Sequence, residues 1–145
     1  MRKSLVAIAV IQFFLAAYTF AYQPKFFMDL ENISGGEGYG RLEAERMKFM
    51  PGLRSIGIDF FRLRPDTVYS VWLVNERGER APAGVDRSHF RTDGSGKGRF
   101  VTTTYDDQLS RWRYIEVYSH PGGDPANTRD MVAELRGDLV YGRRS

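Results

Sequence analysis

The sequence contains no cysteine. No disulfide framework can form, and the lipidated cysteine that tethers an exported lipoprotein is excluded. Histidine is scarce as well, with His89 and His120 the only two. A zinc site wants three or four N, S or O ligands in close array, so no metal or other cofactor is expected, and dismutase chemistry is rejected for want of histidines. A strong charge of one sign is also missing. Taking Arg2 and Lys3 from the 21 basic residues leaves 19 against 18 acidic ones, net +1 for the remainder. The two signs are interleaved, as on a solvated surface. Nucleic-acid binding calls for a basic stripe; Arg111 with Arg113, and Arg143 with Arg144, are too thin to make one. Low-complexity linkers, internal repeats and long amphipathic helices are absent from the pattern after residue 21, which favours one compact domain.

What is present begins at the N-terminus. A basic head, Arg2-Lys3, precedes the apolar run "LVAIAVIQFFLAA", and Thr19-Phe20-Ala21 offers small residues where a signal peptidase reads. That order marks residues 1–21 as a secretory signal peptide. Counted on to Tyr22 the run has 18 residues, close to the ~20 that span a bilayer. Uncleaved, it is a membrane anchor, with membrane contact through residues 1–22. Export without disulfides suits a bacterial periplasm or envelope. Residues 22–145 form the domain, long enough to bury a core without staples.

The domain is rich in aromatics, with 10 Phe, 8 Tyr and 2 Trp, a composition that favours strands. Period-2 alternation bounded by turn residues predicts strands over 26–33, 41–50, 53–63, 67–75, 82–90, 99–105, 112–119 and 132–141. Stretch 41–50 also passes as a helical turn. In 67–75, "TVYSVWLVN", both faces are largely apolar, so the strand is expected to be central and Trp72 to lie in the core. Short strands at this spacing, punctuated by Gly and Pro, predict an all-β antiparallel sandwich, an immunoglobulin-like or Cu/Zn-dismutase-like Greek key.

The residues also carry a resemblance. Pro65, Tyr69, Trp72, Leu73, Gly78, Pro82, Gly84 and Asp93-Gly94 in "LRPDTVYSVWLVNERGERAPAGV" and "FRTDGSGKGRF" resemble the extracytoplasmic C-terminal domain of the anti-sigma-K factors. "WRYIEVYSHPGGDPANT" resembles the strand and glycine loop of that family, with His120 in place of its Glu. Leu63, Tyr69 and "FRTDGSGKG" are similar to chordin-type domains and their dismutase-class relatives, where Trp72 replaces a metal-binding His. The resemblance spans about residues 53–126. It implies a β-sandwich in the cell envelope. An anti-sigma factor carries a sigma-binding domain ahead of its membrane span, whereas four residues precede the apolar run here; the likeness is to the sensor-side domain alone.

Candidate chemistry is thin. "DGSGKG" (93–98) lacks the distal carboxylate of a calcium loop and the spacing of a phosphate loop, and reads as a glycine turn. Asp106-Asp107 reads as a turn cap. Ser110 and Ser119 sit in no triad motif. His120 and Asp124 share one loop and could pair. Trp112, Tyr114 and Tyr118 alternate on one strand with Arg111 and Arg113 nearby, a composition suited to stacking and cation–π contacts if that face is exposed. The candidate binding residues are therefore Trp112, Tyr114, Tyr118, Arg111, Arg113, His120 and Asp124. The expected function is a non-enzymatic periplasmic module that binds or supports a protein partner, as an accessory subunit of a membrane complex when anchored. The alternative is a carbohydrate- or small-molecule-binding domain using the aromatic face.

Overall fold

The computed structural model describes residues 25–142, so the expected signal or anchor segment and the Arg143-Arg144 pair lie outside the described residues. The strands are β1 (Lys25–Asn32), β2 (Tyr39–Arg46), β3 (Leu53–Phe61), β4 (Val68–Val74), β5 (Arg80–Pro82), β6 (His89–Arg91), β7 (Gly98–Tyr105), β8 (Tyr114–His120) and β9 (Val132–Asp138). Two short helices complete the description: α1 (Asp106–Arg111) and α2 (Leu139–Gly142). Among the described residues no helix is long and apolar enough to cross a membrane.

The protein is all-β and its sheet is antiparallel throughout. Strand order runs β5-β4-β8-β9-β1-β2-β3-β7, with β6 also on β4. The sheet curls into a half-barrel. Alternation explains which side chains fill it. β1 turns in Phe26, Met28 and Leu30, β2 Leu42 and Ala44, β3 Ile56, Ile58 and Phe60, and β7 Phe100. From the other half come Tyr69, Val71 and Leu73 of β4, Ile115 and Val117 of β8, and Leu135 of β9. Phe90 of β6 joins the halves by stacking on Phe60 at 4.3 Å and on Tyr69 at 5.5 Å.

Several boundaries differ from the sequence expectation. Stretch 41–50 is strand only to Arg46; residues 47–52 form the β2–β3 turn, where Gly52 takes φ +85°. The expected strand over 82–90 is split into two. Ala83 N donates to Val71 O and Val71 N to Ser88 O, while the residues between them leave β4 and reach across to β7, where Val85 N donates to Thr103 O at 3.0 Å. Only a glycine fits this crossing, since a Cβ on Gly84 would sit 1.7 Å from Thr102 Oγ1. Trp72 is not a core residue. Tyr69, Val71 and Leu73 take the interior, and period 2 turns Trp72 to the outer face, half-buried.

Register fixes which loops share an end. Lys25 pairs with Glu45, Leu53 with Tyr105, Val74 with Tyr114 and Tyr114 with Asp138. The start of β1, the β2–β3 turn, the β4–β5 turn and both helices therefore lie at one end. The loops at 33–38, 62–67, 92–97 and 121–131 lie at the other. At the first end, inward-facing Arg54 is neutralised by Asp106 at 2.6 Å and lies over the Phe26 ring at 5.2 Å.

Candidate functional site

The outer face of β4, β8 and β9 holds the densest set of interacting polar and aromatic side chains. β8 turns Tyr114, Glu116, Tyr118 and His120 outward. Their cross-strand neighbours are Val74, Trp72, Ser70 and Val68 on β4, and Arg136 on β9 lies opposite Glu116. A glutamate on an outer face is normally solvated, yet Glu116 is only 2 % exposed. Its Oε1 accepts from both Arg136 Nε at 2.7 Å and Nη2 at 2.6 Å, and its Oε2 accepts from the Tyr118 hydroxyl. Paired charge-assisted bonds of this kind offset the cost of taking a carboxylate out of water. Burial, and then the hydrogen bond to the Glu116 carboxylate, hold the Tyr118 phenol above the usual tyrosine value.

Arginines cover the rings. The Arg136 guanidinium lies 4.7 Å from the Tyr114 centroid, Arg113 lies 5.5 Å from the same ring, and Arg80 lies 5.4 Å from Tyr118. Arg113 also pairs with Asp138 at 2.9 Å.

Beside this set runs a chain of hydrogen bonds. Trp72 Nε1 donates to Ser70 Oγ at 2.7 Å, and Ser70 Oγ is 2.6 Å from His120 Nε2. His120 Nδ1 is 3.2 Å from the Asn127 carbonyl oxygen. A carbonyl can only accept, so Nδ1 carries a proton; in the neutral imidazole Nε2 then accepts and Ser70 is the donor. The order hydroxyl, imidazole, orienting acceptor is that of an activated nucleophile. Here, however, Ser70 is 1 % and His120 3 % exposed, and the serine oxygen is occupied from both sides. What the chain accomplishes in this state is to tie β4, β8 and the 121–131 loop together.

The seven candidate residues fall into separate places. Tyr114, Tyr118 and His120 share the outer face of β8. Trp112 does not join them: β8 starts at Tyr114, and Trp112 caps the C-terminus of α1 and packs, half-buried, against the core. Arg113 reaches Tyr114, whereas Arg111 is exposed and 3.6 Å from Asp107. Asp124 accepts from Ala126 N at 2.9 Å within its own loop, while His120 turns to Ser70 and Asn127.

Sequence reasoning missed Ser70, Glu116, Arg136, Arg80 and Glu134. A signal was there for two of them: Ser70 in "VYSVWLV" and Glu116 in "YIEVYSH" are polar residues inside otherwise apolar strands, and such residues need partners. Glu134 had no such signal. The β8–β9 register skips it between Leu135 and Ala133, and this bulge aims it at Arg64 and the Tyr69 hydroxyl. Tyr69, deep in the core, has its phenol pushed upward first by burial and further by Glu134.

Among the described residues no group of three or more His, Cys, Asp or Glu could hold a metal ion. No family model, curated protein or solved structure matches the chain.

Proposed function

We propose that the chain is a non-enzymatic module of the bacterial cell envelope, its half-barrel a β-sandwich domain that binds or supports a protein partner. In its anchored form it is an accessory subunit whose domain sits on the outer side of the inner membrane. One observation carries this: the outer face of β4, β8 and β9 combines Trp72, Tyr114 and Tyr118 with Arg80, Arg113 and Arg136. Trp, Tyr and Arg are the residues that dominate protein interfaces. Ser70 holds Trp72, and buried Glu116 holds Tyr118 and Arg136, so these three have little side-chain entropy left to lose on docking. The resemblance to the sensor-side domain of anti-sigma-K factors points to the same compartment.

Site-specific photo-crosslinking tests this in cells producing the full chain. A crosslinker replacing Tyr114 should capture one discrete protein, and one replacing Phe27, exposed on the opposite half of the sheet, should not. Equal capture from both positions, or from neither, overturns the assignment of this face. The alternative, a carbohydrate- or small-molecule-binding domain, draws on the same rings and on the open hollow lined by Val68, His89, Arg91, Gly123 and Pro125. A saturable change in tryptophan emission on adding oligosaccharides, without a crosslinked partner, favours it.

A further inference from the structure

The β2–β3 turn carries Lys48-Phe49-Met50 at its tip, with Phe49 94 % and Met50 52 % exposed. Scattered apolar residues on a surface need no explanation. An almost bare phenylalanine beside a methionine at the apex of a turn is different, because neither side chain helps to fill the half-barrel. Lys48 makes no ion pair among the described residues. Tyr105, half exposed, pairs with Leu53 at the same end.

Position gives this tip its meaning. Lys25, where β1 begins, pairs with Glu45, so the chain enters the sheet beside the turn. The apolar run ends at Tyr22, and only Gln23 and Pro24 intervene. At no more than ~3.6 Å per residue, Lys25 lies within about 11 Å of Tyr22. Past Glu45, β2 continues through Arg46 before the turn carries Phe49 beyond the level of Lys25. As a helix the 18-residue apolar run would measure about 27 Å, close to the ~30 Å of a bilayer's hydrocarbon core.

We infer that Phe49 and Met50 are a bilayer contact, seated in the headgroup–acyl boundary of the membrane that holds residues 5–22, with Lys48 at the level of the lipid phosphates. The inference rests on the anchored form of the function proposed above. The apolar face of an interfacial amphipathic helix enters that boundary by about 5–10 Å with its lysines on the polar side, and a bare Phe–Met tip flanked by lysine offers the same chemistry. A second attachment beside the first fixes how the domain is oriented on the membrane. The loops at 33–38, 62–67, 92–97 and 121–131 then lie on the side of the domain away from the lipid.

The test exploits the absence of cysteine. Full-length chain carrying Phe49→Cys, Met50→Cys or Gly122→Cys is labelled with a nitrobenzoxadiazole fluorophore and reconstituted into phosphatidylethanolamine–phosphatidylglycerol vesicles. Gly122 is the reference because it lies at the opposite end and a Cβ there meets nothing within 4 Å. Flotation reports anchoring, and quenching by nitroxide lipid or by aqueous iodide reports the label's surroundings. The expected result is flotation of all three, with labels at 49 and 50 quenched several-fold more by nitroxide lipid than the label at 122 and shielded from iodide. Flotation with position 49 as open to iodide as position 122 overturns the tip contact and leaves the anchor standing. Shielding at 49 from both quenchers assigns the tip to a protein contact and also overturns it. Loss of flotation removes the anchored form and the tip contact together.

Discussion

Ser70 Oγ and His120 Nε2 stand 2.6 Å apart on the outer face of neighbouring strands, with Trp72 Nε1 donating to the same oxygen. Replacing Ser70 by Ala leaves the indole N–H and the imidazole without their partner where water has little access. We expect Ser70→Ala to lower stability by about 1–3 kcal/mol, read as a fall in the urea midpoint at constant m. Adding His120→Phe should cost less than its own single effect, because the pair is coupled. An unchanged midpoint for Ser70→Ala would show that the chain of bonds is not formed in solution.

Arg136 is the guanidinium that makes buried Glu116 tolerable. Arg136→Met keeps most of the aliphatic stem but removes the guanidinium over Tyr114 and strands the carboxylate. The cost should be about 3 kcal/mol, the low end for a broken buried pair because the Arg136 side chain is itself partly solvated. Adding Glu116→Gln to that variant should recover part of the loss, since a neutral amide is cheaper to bury. Denaturant titrations of the two variants make the comparison.

Tyr69 and Tyr118 both hold their phenolic protons more tightly than an ordinary tyrosine, each chiefly through burial. Below a pH of about 10, folded and unfolded states alike keep these protons and stability is indifferent to them. Above it the unfolded chain releases them first and binds fewer protons than the folded one. Stability therefore falls as pH rises, until the folded-state values are passed. Melting curves between neutral pH and pH 11 should show this limb, and Tyr118→Phe should make it shallower. A limb of the same slope in the variant contradicts the assignment.

Thr102 packs against the crossing at Gly84, and its Oγ1 is buried without a hydrogen-bond partner among the described residues. Thr102→Val removes an unsatisfied hydroxyl at nearly constant volume and should raise stability, by up to about 1 kcal/mol. Gly84→Ala, in contrast, drives a methyl into Thr102 and should cost roughly 1–3 kcal/mol. Opposite shifts in thermal midpoint are the expected outcome.

Strand positions were largely legible in the sequence because alternation is a local property: Ile56, Ile58 and Phe60 announce an inward face wherever the strand ends up. Which face is inward on β4 was not legible. "VYSVWLV" is apolar on both sides, and the fold takes Tyr69 rather than Trp72 inside, where it stacks on Phe90 of β6. Nor could the pattern separate Trp112 from Tyr114, since α1 and a strand entering at residue 114 preserve the same spacing. The outer-face set was half visible. Tyr114 and Tyr118 were chosen from one strand, and His120 from the loop expected after it, although it is the last residue of β8. Ser70, Arg80 and Arg136 are brought to them by strand pairing, and the bulge at Glu134 alters register in a way that period 2 cannot express.

The split of one expected strand into β5 and β6 has a consequence for association. A long, flat margin of unpaired N–H and C=O groups is a template on which another chain can add a strand, the route to aggregation. β4 is flanked on that side by two pieces of three residues each, and the chain between them crosses to occupy part of β7, the opposite margin. Neither piece is long enough to recruit a stable foreign strand. Strand addition along this margin is thereby disfavoured, and contacts there are left to side chains rather than to open backbone.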